Sequence, residues 1–183
     1  MLSLVLLVTS CSSSGGVVPG AHIPDVEVFD IQGNSKKLRD VIAGSPTVIN
    51  LWASWCGSCT EELPALSRLE KILSNSGIKV IGIGVQDDPS SITEIANSVG
   101  LRYPQFLDRS GELFSKLRLS GVPETFLVDS DGRFVLFDDP IQGGTVRLIG
   151  PRDWDSSSVI QRIRDAFKRS SIKNGSTPKK GTM

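Results

Sequence analysis

The sequence predicts a single α/β domain, and three observations carry that expectation. Two apolar runs rich in β-branched residues, TVINLW at 47–52 and KVIGIGV at 79–85, have the near-continuous character of strands buried on both faces. Between them Leu63, Leu66, Leu69, Ile72 and Leu73 recur at spacings of three and four, which predicts an amphipathic helix over 60–76, ending near Gly77. A strand, a helix and a strand joined in this way form a unit whose two strands run parallel. With 183 residues the chain can enclose one well-buried core and is short for two.

The remaining elements follow in order. Residues 26–31, VEVFDI, alternate like a strand, and Gln32-Gly33-Asn34-Ser35 supplies a turn into a short returning strand and a helical turn over 36–42. Pro64 lies inside the long helix, where it removes a backbone donor and is expected to kink it. Asp88-Pro89-Ser90-Ser91 opens a helix reaching Val99, with Ile92, Ile95, Ala96 and Val99 on one face. An extended piece over 101–108 and a short helix over 112–119 come next. The run 122–128 reads as a strand, turned by Asp129-Ser130-Asp131-Gly132 into an antiparallel hairpin partner over 133–137. A further strand is expected over 145–149. The 155–158 cluster, Asp-Ser-Ser-Ser, can cap a last helix whose apolar side is Val159, Ile160, Ile163, Ala166 and Phe167.

The termini carry a different signal. Residues 1–10 combine a short apolar stretch with small residues, and that stretch is far below the ~20 residues that a spanning helix needs. Val8-Thr9-Ser10-Cys11 resembles a bacterial lipobox, the pattern after which cleavage leaves a lipidated cysteine, although no Lys or Arg precedes it. The expected organisation is therefore a signal peptide over 1–10, a lipid-anchored linker over 11–21 beginning at Cys11, a domain over 22–167 and a basic, disordered tail over 168–183. It implies a protein outside the bacterial cytoplasm, held to a membrane by lipid, and leaves only Cys56 and Cys59 of the three cysteines for chemistry within the chain.

Twenty acidic and twenty basic residues balance, so the charge footprint of a nucleic-acid binder is missing. The glycines of GIGVQ and QGGT lack phosphate-loop or dinucleotide spacing. Asp129, Asp131 and Gly132 read as a turn and not a calcium loop, and His22 as a surface linker residue. Cys56 and Cys59 stand three residues apart, after a buried strand and at the head of a helix. Structural zinc takes four ligands, which one CxxC and a distant His22 do not supply. A disulfide this short restricts the unfolded chain little. Redox chemistry explains the spacing better, because a helix N-terminus favours thiolate over thiol at Cys56 and places Cys59 to attack a mixed disulfide formed there.

WASWCGSCTEELP at 52–64 and GVPETF at 121–126 resemble the active-site and cis-proline segments of thioredoxin-fold proteins. More narrowly, the N-terminal signal and linker, Glu62, the inserted 91–119 region and GVPETFLVDSDGRF resemble the extracytoplasmic TlpA/ResA-like thiol-disulfide oxidoreductases over about residues 20–167. The resemblance implies a thioredoxin fold with an N-terminal β-hairpin extension and a central strand/helix insertion. It implies that Cys56 attacks, that Cys59 resolves, and that Pro123 is cis with Val122 offering backbone groups to an extended substrate.

Asn50 stands on the strand where thioredoxins proper carry a buried acid, and an amide cannot serve as a base. Glu62, one turn beyond Cys59, is the candidate replacement, against the reading of a solvated surface Glu like Glu61. Ser58 occupies a position where proline is commoner, and its extra N–H can stabilise a Cys56 thiolate and make the pair more oxidising. Trp52 and Trp55 read as packing and shielding residues, with Trp55 also a substrate contact. The expected protein is a monomer without metal or other cofactor, reducing disulfides of exported proteins, apocytochrome c among them, and reset by a membrane donor of thiol type. An oxidase or isomerase direction, and a non-catalytic peptide-binding lipoprotein, are the alternatives.

Overall fold

The structure, a computed structural model, describes residues 16–173 and 175. Residues 1–15, the Cys11 anchor among them, and residues 174 and 176–183 of the tail lie outside the described residues. The backbone begins with β1 (Glu27–Asp30), β2 (Ser35–Lys37) and α1 (Leu38–Ile42). The β1–β2 turn is held by the Asp30 carboxylate, which accepts hydrogen bonds from the Gln32 and Asn34 N–H groups. Next come β3 (Thr47–Trp52), α2 (Gly57–Ser74), β4 (Lys79–Val85), α3 (Pro89–Ser98), β5 (Gln105–Asp108) and α4 (Glu112–Leu117). Asp88 caps α3 by accepting from the Ser90 and Ser91 N–H groups, as an N-cap aspartate should.

β6 (Glu124–Val128), β7 (Phe137–Asp139), β8 (Gly143–Thr145), β9 (Leu148–Ile149) and α5 (Ser157–Lys173) complete the chain. The main sheet has the order β2-β1-β5-β4-β3-β6-β9, with β3, β4 and β5 parallel and β6 antiparallel to β3. β3 is buried at every position, as its unbroken apolar run predicts. Its alternate residues serve two cores. Val48 and Trp52 pack with α2, α3 and α5, whereas Ile49 and Leu51 pack with α1 and α4.

The GIG of β4 has a packing reason. A Cβ on Gly82 would lie 2.1 Å from Gln105 Oε1, and one on Gly84 2.7 Å from Ile92 Cδ1. The bare backbone thus admits Gln105, whose Oε1 accepts the Trp52 indole N–H at 3.0 Å.

Three expectations need correction. The 133–137 hairpin partner returns along β6 only as far as Val135, through Asp129 N–H to Arg133 O (2.9 Å), Val135 N–H to Leu127 O (2.8 Å) and a bridge at Phe134. The chain then leaves, because fully buried Phe137 is drawn into the core against α2 and α5, and β7 pairs with β8 instead. β9 takes the other end of that edge, at Glu124 and Thr125. The strand expected over 145–149 is broken by Thr145, whose hydroxyl bonds both Arg147 O and Arg147 N–H. Finally, α5 continues to Lys173, past the expected end at 167. No described helix is long and apolar enough to cross a membrane.

Candidate active site

The C-terminal end of β3 delivers the chain into α2, which starts at Gly57, three residues earlier than its apolar periodicity marks. Cys56 is therefore the N-cap, and its Sγ accepts the Cys59 N–H at 3.2 Å. A sulfur in this position meets unsatisfied donors and the positive helix end, both of which favour thiolate. The two cysteines form a disulfide with Cα atoms 5.2 Å apart. Cys59 is fully buried, and Cys56 retains only 8% of its surface, so the sulfur expected to attack is less open than its sequence position predicts. The Ser58 hydroxyl lies 3.5 Å from Cys56 Sγ, a contact additional to the N–H anticipated there.

The Val122–Pro123 bond is cis. Val122 O lies 3.5 Å from Cys56 Sγ, which brings these two distant segments together. Trp55 is 61% exposed with its indole N–H on Gln86 O at 3.1 Å. The Asp87 carboxylate accepts from both the N–H and the hydroxyl of Ser54. These contacts fasten the loop ahead of Cys56 to the end of β4. Trp52 is instead fully buried.

Glu62 is not a surface residue. It is 4% exposed, and its Oε1 accepts Asn50 Nδ2 at 2.9 Å while Oε2 accepts the Trp154 indole N–H at 2.7 Å and the Arg152 N–H at 3.3 Å. Asn50 also donates to Thr125 Oγ1 at 3.0 Å, so the amide on β3 serves as a donor to the acid. Burial raises the Glu62 carboxyl above its ordinary 4.5, opposed by the hydrogen bonds of Trp154, Asn50 and Arg152 and by the Arg152 charge.

A raised carboxyl binds its proton more tightly in the folded chain, so its stabilising contribution is complete below pH 4.5 and is lost as pH rises through the folded value. Glu62→Gln is expected to flatten that dependence and to be at least as stable as the parent at neutral pH. Urea unfolding at about pH 5 and about pH 8 checks this; a pH slope identical to the parent's would contradict it.

Sequence reasoning missed Trp154, Arg152 and Asp139. Arg152 Nε donates to Asp139 Oδ2 at 2.8 Å, and both side chains are almost wholly buried. It also missed Glu124, buried beside the cis-proline and ion-paired with Arg147 at 2.7 Å. Burial pushes the Glu124 carboxyl up against the opposing pull of Arg147. The only local signal was a tryptophan, apolar in body and polar at its tip, in a segment that otherwise reads as loop.

Comparison with known proteins agrees with this geometry. The chain is 28% identical to the thiol-disulfide oxidoreductase ResA of Geobacillus kaustophilus over 63% of this chain and 66% of that protein. It is 32% identical to the thiol:disulfide interchange protein DsbE of Vibrio cholerae over 63% of this chain and 62% of that one. The matched stretches thus span just under two thirds of these two relatives. Among solved structures, the thioredoxin domain of a Bacteroides vulgatus thiol-disulfide oxidoreductase superposes with a TM-score of 0.66 at 17% identity, covering 83% of this chain and 99% of that domain. The AhpC/TSA family model matches residues 19–136, a stretch that contains the cysteine pair, Glu62 and the cis-proline. The chain has the thioredoxin fold and belongs to the AhpC/TSA family.

Proposed function

We propose that this protein is an extracytoplasmic thiol-disulfide oxidoreductase of the ResA/DsbE type, anchored through a lipid on Cys11, that reduces disulfides of exported proteins as a monomer. The observation that carries the reading is the meeting of an N-cap cysteine with the carbonyl before a cis-proline, 3.5 Å from its sulfur. An extended substrate chain would lie against Val122, Pro123 and the exposed Trp55, bonding to the Val122 backbone.

The Cys56 thiolate attacks one sulfur of the substrate disulfide; a Cys56–substrate bond forms, the substrate bond breaks, and the departing thiolate takes a proton from solvent. Cys59 passes its proton to Glu62, and its thiolate attacks Cys56 Sγ. The internal disulfide forms and the second substrate thiolate leaves. Two electrons have moved from the dithiol to the substrate, and a membrane donor of thiol type returns them. The reverse direction is favoured by one observation, the Ser58 hydroxyl beside Cys56, since a stabilised thiolate makes the reduced form more stable and the pair more oxidising.

A Cys59→Ser chain should accumulate mixed disulfides through Cys56, and apocytochrome c is the first exported partner to look for among them. If no adduct forms, while the double cysteine variant still retains partners, the protein is a binding module and this reading fails. The reduction potential of the pair decides the direction.

A further inference from the structure

The turn between β9 and α5 grips the site from behind. Arg152 Nη1 donates to Ile149 O at 3.0 Å and to Gly150 O at 2.8 Å, while its Nε holds Asp139. So fixed, the turn sends Gly150 N–H to Pro123 O at 2.9 Å, Arg152 N–H to Glu62 Oε2, and the fully buried Trp154 indole to that same oxygen. One short segment therefore touches both the cis-proline and the buried carboxylate.

We propose that Trp154 is a positioning residue for the exchange reaction: its indole N–H holds the Glu62 carboxylate in place to take the Cys59 proton. The inference rests on the reading of Glu62 as the proton acceptor. An N–H donor favours the charged form of a buried acid, and burial alone would hold Glu62 protonated to higher pH. The other charged or titratable groups around it are the Arg152 guanidinium with Asp139 behind it and the buried Tyr103 phenol ahead of β5, itself pushed up by burial and by the Glu62 charge; Cys59 lies one turn back on α2. Asn50 and Thr125 complete the surroundings as neutral groups. Glu61, its neighbour on α2, is exposed.

The test uses the full chain with Trp154→Phe and, to keep the ring shape while deleting the N–H, benzothienylalanine at 154. Two readouts are followed against pH. One is the carboxyl carbon resonance of Glu62, assigned through its loss in Glu62→Gln. The other is the rate at which Cys59 releases a thionitrobenzoate adduct from Cys56. Both midpoints are expected to rise together by about one pH unit in either variant, because a hydrogen bond to a charged group is being removed. Below both midpoints, release slows about tenfold. An unmoved Glu62 midpoint overturns the proposal, and so does a moved midpoint with an unchanged release profile, which would leave Trp154 a packing residue. If Trp154→Phe does not fold, the benzothienyl chain decides. A parent chain that never releases the adduct would instead sink the assignment of the cysteine pair, while the carboxyl midpoints would still judge Trp154.

Discussion

Cys56→Ser is expected to reduce protein-disulfide reduction to the uncatalysed background, measured as turbidity of reduced insulin with a small thiol as donor. A serine hydroxyl does not ionise near neutral pH and its oxygen does not form the mixed disulfide on which exchange depends. Cys59 cannot take over, because it is fully buried within the first turn of α2. The positive helix end, which favours a thiolate at the N-cap, also has no comparable reach to a residue already inside the helix. Residual turnover near the parental rate would place the reactive sulfur elsewhere and contradict the site.

Asp139→Ala is expected to cost about 3–5 kcal/mol of stability, read from urea unfolding at neutral pH. The loss leaves the Arg152 guanidinium charged and without its carboxylate partner in a nearly water-free place, and that penalty exceeds what the pair contributes when intact. The same carboxylate accepts the Ile141 and Gln142 N–H groups at 2.8 and 2.7 Å, so the β7–β8 turn loosens with it. Asp139→Asn retains an acceptor and should lose less. Burial pushes the Asp139 carboxyl up, but Arg152 and those N–H groups outweigh it and hold it below its ordinary 3.8. Its stabilisation is present above pH 3.8 and disappears as pH falls through the depressed folded value, opposite in sign to Glu62. A loss below about 1 kcal/mol would mean that the Ile149 and Gly150 carbonyls and the Gln142 side chain satisfy Arg152 without the carboxylate.

The half of the fold that carries the cysteines was legible because its signals are local. A β-branched run, a CxxC and a three-four apolar rhythm fall in one stretch of β3 and α2, and Asp88 announces the next helix. The region after Phe134 was not. Its strands are two or three residues long, so Phe137 reads as the continuation of a hairpin, whereas burial against α2 and α5 decides its course. Spacing alone put Glu62 on the face of Cys59. Its burial depends on Trp154, 92 residues away in sequence, and on an Arg152 whose partner lies in a hairpin that local pattern did not reveal. The contact of Val122 O with the Cys56 sulfur was likewise hidden, because only the tertiary fold brings the two together.

The sulfur that caps α2 gives this chain a thermodynamic cycle. Folding and reduction share one group, so the difference in folding free energy between the dithiol and disulfide forms must equal the difference in reduction free energy between the folded and unfolded pairs. Each 1.4 kcal/mol by which the thiolate cap stabilises the reduced fold therefore raises the potential of the folded pair by about 30 mV relative to the unfolded chain. Two denaturation curves, one for each redox form, measure how far the 18-residue helix has biased its own cysteines, without an electrode and before any substrate is known.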